Sequence, residues 1–97
     1  MISNFYTTSF TTKRLKTDQS DYEANLIGKK CHIQQEGGEA VELDDGAFYI
    51  IYNMWCAIMD IVVGDQVITD TTYQVKEVKT FDIGGHPHLE IILAKPV

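Results

Sequence analysis

The sequence predicts a small all-β domain, a barrel or sandwich of about six strands with an extended N-terminal arm and a long central loop. Three observations carry that prediction. Short runs rich in Val, Ile, Thr and Tyr recur through the last third of the chain, each bounded by Gly, Asp or Pro. The apolar run Phe48–Met59 is dominated by β-branched and aromatic residues, a composition that favours a strand over a helix. A chain of 97 residues makes one domain with one thin core, burying roughly 60–65% of its unfolded surface.

The elements follow in order. Phe5–Leu15, rich in Thr and aromatics, reads as a first strand or arm, with residues 1–17 as its span. Asp18–Asp21 is a polar break. Tyr22–Gly28 reads as a loop or short helical turn stopped by Gly28, and Lys30–Gln35 as a short strand. Two turns, Glu36–Glu39 and Leu43–Gly46, bracket an acidic stretch expected to form a hairpin tip or loop.

Phe48–Met59 then forms the strongest strand. Phe48, Ile50, Tyr52, Met54, Cys56 and Ile58 share one face, and Tyr49, Ile51, Asn53, Trp55, Ala57 and Met59 the other. Both faces are apolar, so the strand requires cover on both sides, from a closed barrel or from another chain. Gly64-Asp65 marks a turn, Gln66–Thr69 a brief strand and Asp70-Thr71 a tight hairpin. Thr72–Lys79 alternates until a phase shift at Glu77-Val78 that predicts a bulge. In this reading Tyr73, Val75 and Glu77 share one face, with Gln74, Lys76 and Val78 on the other. Asp82–Pro87 is a loop, and His88–Lys95 the closing strand, ended by Pro96. There is no internal repeat or interdomain linker.

Charge restricts the partners. Residues 1–30 carry five basic and three acidic side chains, whereas residues 31–97 carry three basic and eleven acidic ones. An acidic body repels phosphate, which excludes tight general nucleic-acid binding. The asymmetry fits a solvated acidic surface, or head-to-tail attraction between neighbouring subunits. Met1–Thr12 lacks the order of a signal peptide, and Ala47–Met59 is shorter than the roughly 20 residues of a spanning helix. Cys31 and Cys56 are therefore expected as reduced thiols, with a disulfide between them as the minor alternative, since sequence does not give their separation.

No constellation points to catalysis, and no enzyme is expected. His86-Pro-His88 places two imidazoles on one side of a strand, but a metal site needs a third and fourth ligand, and no C-x-x-C or H-x-x-x-H spacing is present. Cys31 and His32, adjacent on a strand, point to opposite faces and cannot pair. Cys56 lies in the most apolar strand, where a thiol packs as a small hydrophobe. Asp60, Asp65 and Asp70 sit at turns, where Asp is favoured for backbone reasons. Gly84-Gly85 lacks the helix and lysine of a phosphate loop. Tyr49, Tyr52 and Trp55 could stack bases only beside a basic groove, and their surroundings are acidic.

Val63-Gly-Asp-Gln-Val-Ile68, then Thr72-Tyr-Gln-Val-Lys-Glu-Val78, then His88-Leu-Glu-Ile-Ile-Leu-Ala-Lys95 resemble the tail half of small phage head–tail joining proteins. These are the head-closure or stopper proteins of long-tailed phages and prophages. Cys31-His-Ile-Gln-Gln35 resembles the family's C-x-I-Q strand, and the Thr-rich opening with Lys13-Arg14 its first strand. The resemblance covers most of residues 5–95, and the loop Gly37–Ala47 and the run Phe48–Met59 depart from it.

The resemblance implies a virion structural protein of the head–tail connector. In that role it would form a homo-oligomeric ring between portal or adaptor and tail, closing the filled head and docking the tail after assembly from the host cytoplasm. It implies no catalysis and no cofactor. Candidate partner contacts are Tyr49, Tyr52, Trp55, Lys13 and Arg14. Glu39, Glu42, Asp44 and Asp45 are candidates for an acidic loop facing a DNA channel. Two competing readings remain. One is a monomeric SH3-like or OB-like module that binds a protein through a groove around Tyr49, Tyr52 and Trp55. The other is a small metal-dependent protein using His86, His88 and a cysteine.

Overall fold

A computed structural model describes residues 6–82 and 84–97; Phe5 of the expected first strand and Ile83 of the expected Asp82–Pro87 loop lie outside them. The described residues form seven strands: β1 (Thr8–Leu15), β2 (Tyr22–Gln35), β3 (Val41–Glu42), β4 (Phe48–Cys56), β5 (Gln66–Ile68), β6 (Thr72–Phe81) and β7 (His88–Pro96). Their order is β2-β1-β5-β6-β7-β4-β3, every pairing is antiparallel, and an additional β2–β4 pairing closes the sheet. The result is a closed six-stranded barrel, with β3 as an extra strand beside the start of β4. Closure removes most of the unpaired edge that an open sheet would offer to solvent.

Alternation fills the interior. Along β7, Leu89, Ile91 and Leu93 are buried, while His88, Glu90 and Ile92 are half-exposed. Phe10 from β1, Cys31 from β2, Met54 and Cys56 from β4, Val67 from β5 and Tyr73 and Val75 from β6 complete the core with Ile61. Residues 8–15 are an integral barrel strand between β2 and β5 rather than a detached arm.

The strand expected over Phe48–Met59 ends at Cys56, where the chain leaves the ladder, and two further expectations need correction. Tyr22–Gly28 is neither loop nor helical turn: it is the first half of β2, a single strand of 14 residues. The pairing with β1 shifts register twice, between Phe10 and Thr12 and between Thr12 and Lys13, so β2 carries extra residues there. Gly28, at φ 69°, supplies the left-handed conformation that the first bulge needs. The buried Thr12 hydroxyl then accepts the Leu26 N–H at 3.1 Å, satisfying a donor that the irregular ladder leaves open. Sequence composition missed the strand because most of its first half is exposed, so the inside–outside alternation never appears.

The second correction concerns β6. Its bulge lies between Val75 and Glu77, at Lys76, one residue earlier than the sequence suggests. The extra residue reverses the phase, so Val78 packs against the core and Glu77 is exposed, the opposite of the expected faces.

Candidate functional site

The expected contact residues divide among four places. Tyr49 and Trp55 lie on the outer face of β4, whereas Tyr52 turns inward and meets the Tyr73 ring edge-on at 4.9 Å between centroids. The three aromatics therefore do not form one groove. Tyr49 is buried: its hydroxyl donates to the Asp45 carboxylate and the Lys76 ammonium sits 5.1 Å from its ring centroid. That hydrogen bond, with the Ala47 N–H, holds the Asp45 carboxyl below the usual carboxylate range and raises the Tyr49 phenol. Trp55 is half-buried, its ring tilted against His32 at 5.5 Å. The outer cover that the apolar run demands thus comes partly from the chain's own Asp45, Lys76 and His32.

Arg14 and Lys13 diverge. Lys13 stands on the outside of β1 between Ala24 and Gln66. Arg14 lies at the barrel rim and grips Asp65 with both prongs, Nε to Oδ1 and Nη2 to Oδ2, each at 2.9 Å. The same guanidinium donates to the Asp60 carboxylate at 3.0 and 3.2 Å and to its carbonyl at 3.2 Å. Asp65 is 1% exposed and also accepts the Val62 N–H. Asn25 donates to Asp60 from β2. The Asp65 and Asp60 hydrogen bonds push the Arg14 pKa further above its already high value.

Asp60 and Asp65 therefore do more than the turn chemistry expected of them. The Val62–Asp65 segment is a type II turn, with Gly64 at φ 97° in its third position and Asp65 N–H bonded to the Val62 carbonyl. The turn aims the Asp65 carboxylate at β1.

The acidic loop is a strand-flanked tip. After β2, Gly37 turns the chain at φ 66°, and β3 rejoins β4 through Val41↔Tyr49 and Glu42↔Phe48. Leu43–Ala47 closes as a type I turn with Gly46 at φ 81° in the following left-handed position. Glu39, Glu42 and Asp44 are exposed at this tip, whereas Asp45 is occupied by Tyr49 and Ala47.

Large apolar side chains are exposed at the two ends of β4. Val41, Phe48 and Val97 are exposed at its start, the Phe48 carbonyl accepting the Val97 N–H, while Val41 stands opposite Tyr49 on the other face of the sheet. Ile58, Val62 and Val63 lie in the connection that leaves its far end, with Ile27 on the part of β2 running past that end. Sequence reading did not name these positions as contacts, although Val-Val-Gly-Asp carries a signal: two branched apolar residues occupy a turn that usually takes polar ones.

The chemically reactive groups are dispersed. Cys31 and Cys56 are free and fully buried, and burial pushes each thiol up to about 12, the neighbouring Cys31 adding to the shift of Cys56. His32 faces outward against Trp55, away from Cys31. Among the described residues, no three His, Cys, Asp or Glu side chains converge as a metal site. An open depression of about 480 Å³ between β1, Gly28 and the Ile68–Asp70 turn holds Asp70 as the one ionisable side chain among its described lining residues.

His88 stacks on Phe81, its Nδ1 bonded to the His86 carbonyl and its Nε2 3.0 Å from Glu90. Both ring nitrogens donate in the protonated form, so the carbonyl first and the carboxylate second raise its pKa above the ordinary histidine value. A raised folded-state pKa contributes stability that is fully present below the unfolded value and lost as pH rises through the folded one. An NMR titration is expected to place the His88 midpoint above 6.5, and Glu90→Gln to lower it; a midpoint at or below the free value would contradict the contact.

No family model, curated protein or solved structure matches the chain.

Proposed function

We propose that this protein is a structural ring subunit of a phage head–tail connector, held between portal or adaptor on one side and tail on the other. The observation that carries the reading is the exposure of large apolar side chains at both ends of β4, Val41, Phe48 and Val97 at one and Ile58, Val62 and Val63 at the other, on a closed barrel. A subunit gripped on two sides needs two separate adhesive patches on a stiff body, and large exposed apolar groups mark such contacts. The motif order along Val63–Lys95 supports the same reading. The exposed Glu39, Glu42 and Asp44 suit a tip facing a DNA channel, since like charge discourages adhesion within a Debye length of roughly 8–10 Å.

Light scattering across a concentration series tests the role, with the protein alone and mixed with portal, adaptor or tail proteins of the same genome. A ring-sized complex formed only with those partners is the expected result. A monomer that ignores all of them would return the protein to the class of simple interaction modules. In an assembled connector, reversing Glu39, Glu42 and Asp44 to lysine is expected to increase DNA retention. Asp45 is left intact because its carboxylate supports Tyr49. Unchanged retention would remove the channel-facing role of the tip.

A further inference from the structure

The two cysteines stand opposite one another where the barrel closes. β2 pairs with β4 in a regular register that runs from Cys31↔Cys56 to Gln35↔Tyr52. One step further, the Glu36 N–H donates to the Ile51 carbonyl at 2.9 Å, so Glu36 and Ile51 are a hydrogen-bonded pair. Hydrogen-bonded and non-hydrogen-bonded pairs alternate along an antiparallel ladder. Counting back through the register, Cys31 and Cys56 occupy a non-hydrogen-bonded pair. Such pairs hold their Cα atoms about 4.5 Å apart with side chains close together. That spacing falls inside the roughly 4.4–6.8 Å window of protein disulfides. Both side chains point into the core and both are 0% exposed.

We propose that Cys31 and Cys56 form an oxidisable dithiol whose disulfide covalently closes the barrel between β2 and β4. The bond would also tie the base of the acidic tip, because the segment it encloses contains residues 36–47 and β3. Burial sets the kinetics: neither sulfur meets an oxidant until β2 and β4 part, so the reaction follows opening rather than thiol chemistry in the closed state.

The oxidant class is a low-molecular-weight disulfide such as oxidised glutathione. One cysteine thiolate attacks a glutathione sulfur, forming a mixed disulfide and releasing one glutathione thiolate. The second cysteine thiolate attacks the protein-side sulfur of that mixed disulfide and expels the other glutathione. Two electrons pass to glutathione, and the two protons lost by the cysteines are taken up by the two departing thiolates.

The test incubates the purified reduced protein with oxidised glutathione in a series of urea concentrations below the unfolding transition, followed by intact-mass and peptide-mass analysis. The expected product is a monomer two hydrogens lighter, with one peptide pair joining Cys31 to Cys56, formed faster as urea increases. Closing a loop of roughly two dozen residues raises the unfolding midpoint by about 10 °C or more over the reduced protein. Cys31→Ala under the same treatment is expected to retain one glutathione on Cys56. Wild-type protein that retains glutathione on both cysteines, forms disulfide-linked dimers or stays reduced at the highest urea concentration of the series would overturn the proposal. So would a linked monomer whose midpoint is no higher than that of the reduced chain.

Discussion

Arg14→Ala is expected to lower the unfolding midpoint by roughly 10–20 °C in a thermal scan followed by circular dichroism. The Asp65 carboxylate is 1% exposed, and Arg14 supplies two of its three hydrogen bonds. Truncating the arginine leaves a buried anion with only the Val62 N–H. Breaking such a pair costs about 3–5 kcal/mol when both partners are buried. The Arg14 side chain is 34% exposed, so water softens the loss to about 2–3 kcal/mol. Lysine at this position restores charge but not the fork, and should recover only part of the shift. Adding Asp65→Asn to the alanine variant removes the stranded charge and is expected to raise its midpoint again. Asp60→Ala should cost less than Arg14→Ala, because Asp60 is 62% exposed. An alanine variant that melts with the native chain would show that the fork contributes nothing.

Met54→Ala is the second large effect, an expected loss of about 2–5 kcal/mol. Met54 is 0% exposed and stands in register with Ile33 on β2 and Ile91 on β7. It is thus packed from both neighbouring strands, and its removal opens a cavity beside the closing pairing of the barrel. Against a stability of about 5–15 kcal/mol for an ordinary domain, that loss populates unfolded chain at physiological temperature. Met54→Leu keeps most of the volume and should cost under about 1.5 kcal/mol. Urea denaturation separates the two variants; equal midpoints would mean that the site collapses freely around a missing side chain.

What could be read in the sequence follows the physics of each signal. The closing strand was legible because Leu89, Ile91 and Leu93 alternate with half-exposed neighbours, and a period of two needs no tertiary information. The demand of Phe48–Met59 for cover on both sides was legible for the same reason, and the closed barrel supplies the inner half. The strand itself stops at Cys56, because the chain leaves the ladder there while Met59 still packs against the core.

The first half of β2 was not legible. Its exposed positions hide the alternation, and Gly28 marks a bulge inside a strand as readily as the end of a helical turn. The Arg14–Asp60–Asp65 cluster was out of reach, since the partners lie 46 and 51 residues apart and pair only once the strands are ordered around the barrel. The division of Tyr49 and Trp55 from Tyr52 follows from simple alternation along β4. Which face would be sealed by Asp45 and Lys76 was settled by loop geometry that composition does not encode.

The pairing of β1 with β5 rests on three residue pairs, Thr11↔Ile68, Thr12↔Val67 and Lys13↔Gln66, and the next residue on either side is Arg14 and Asp65. It joins strands with most of the barrel's sequence between them, so its chain-closure entropy is paid before its few contacts return anything. During refolding, the β1–β2 and β6–β7 hairpins have far shorter distances to search and should form ahead of it. Completion of the barrel is then a late event, and the arginine fork acts as the latch that follows it. Backbone amides of Gln66 and Ile68, which face β1 while that of Val67 faces β6, should accordingly gain protection from hydrogen exchange after those of β7, and lose it first when the native protein opens.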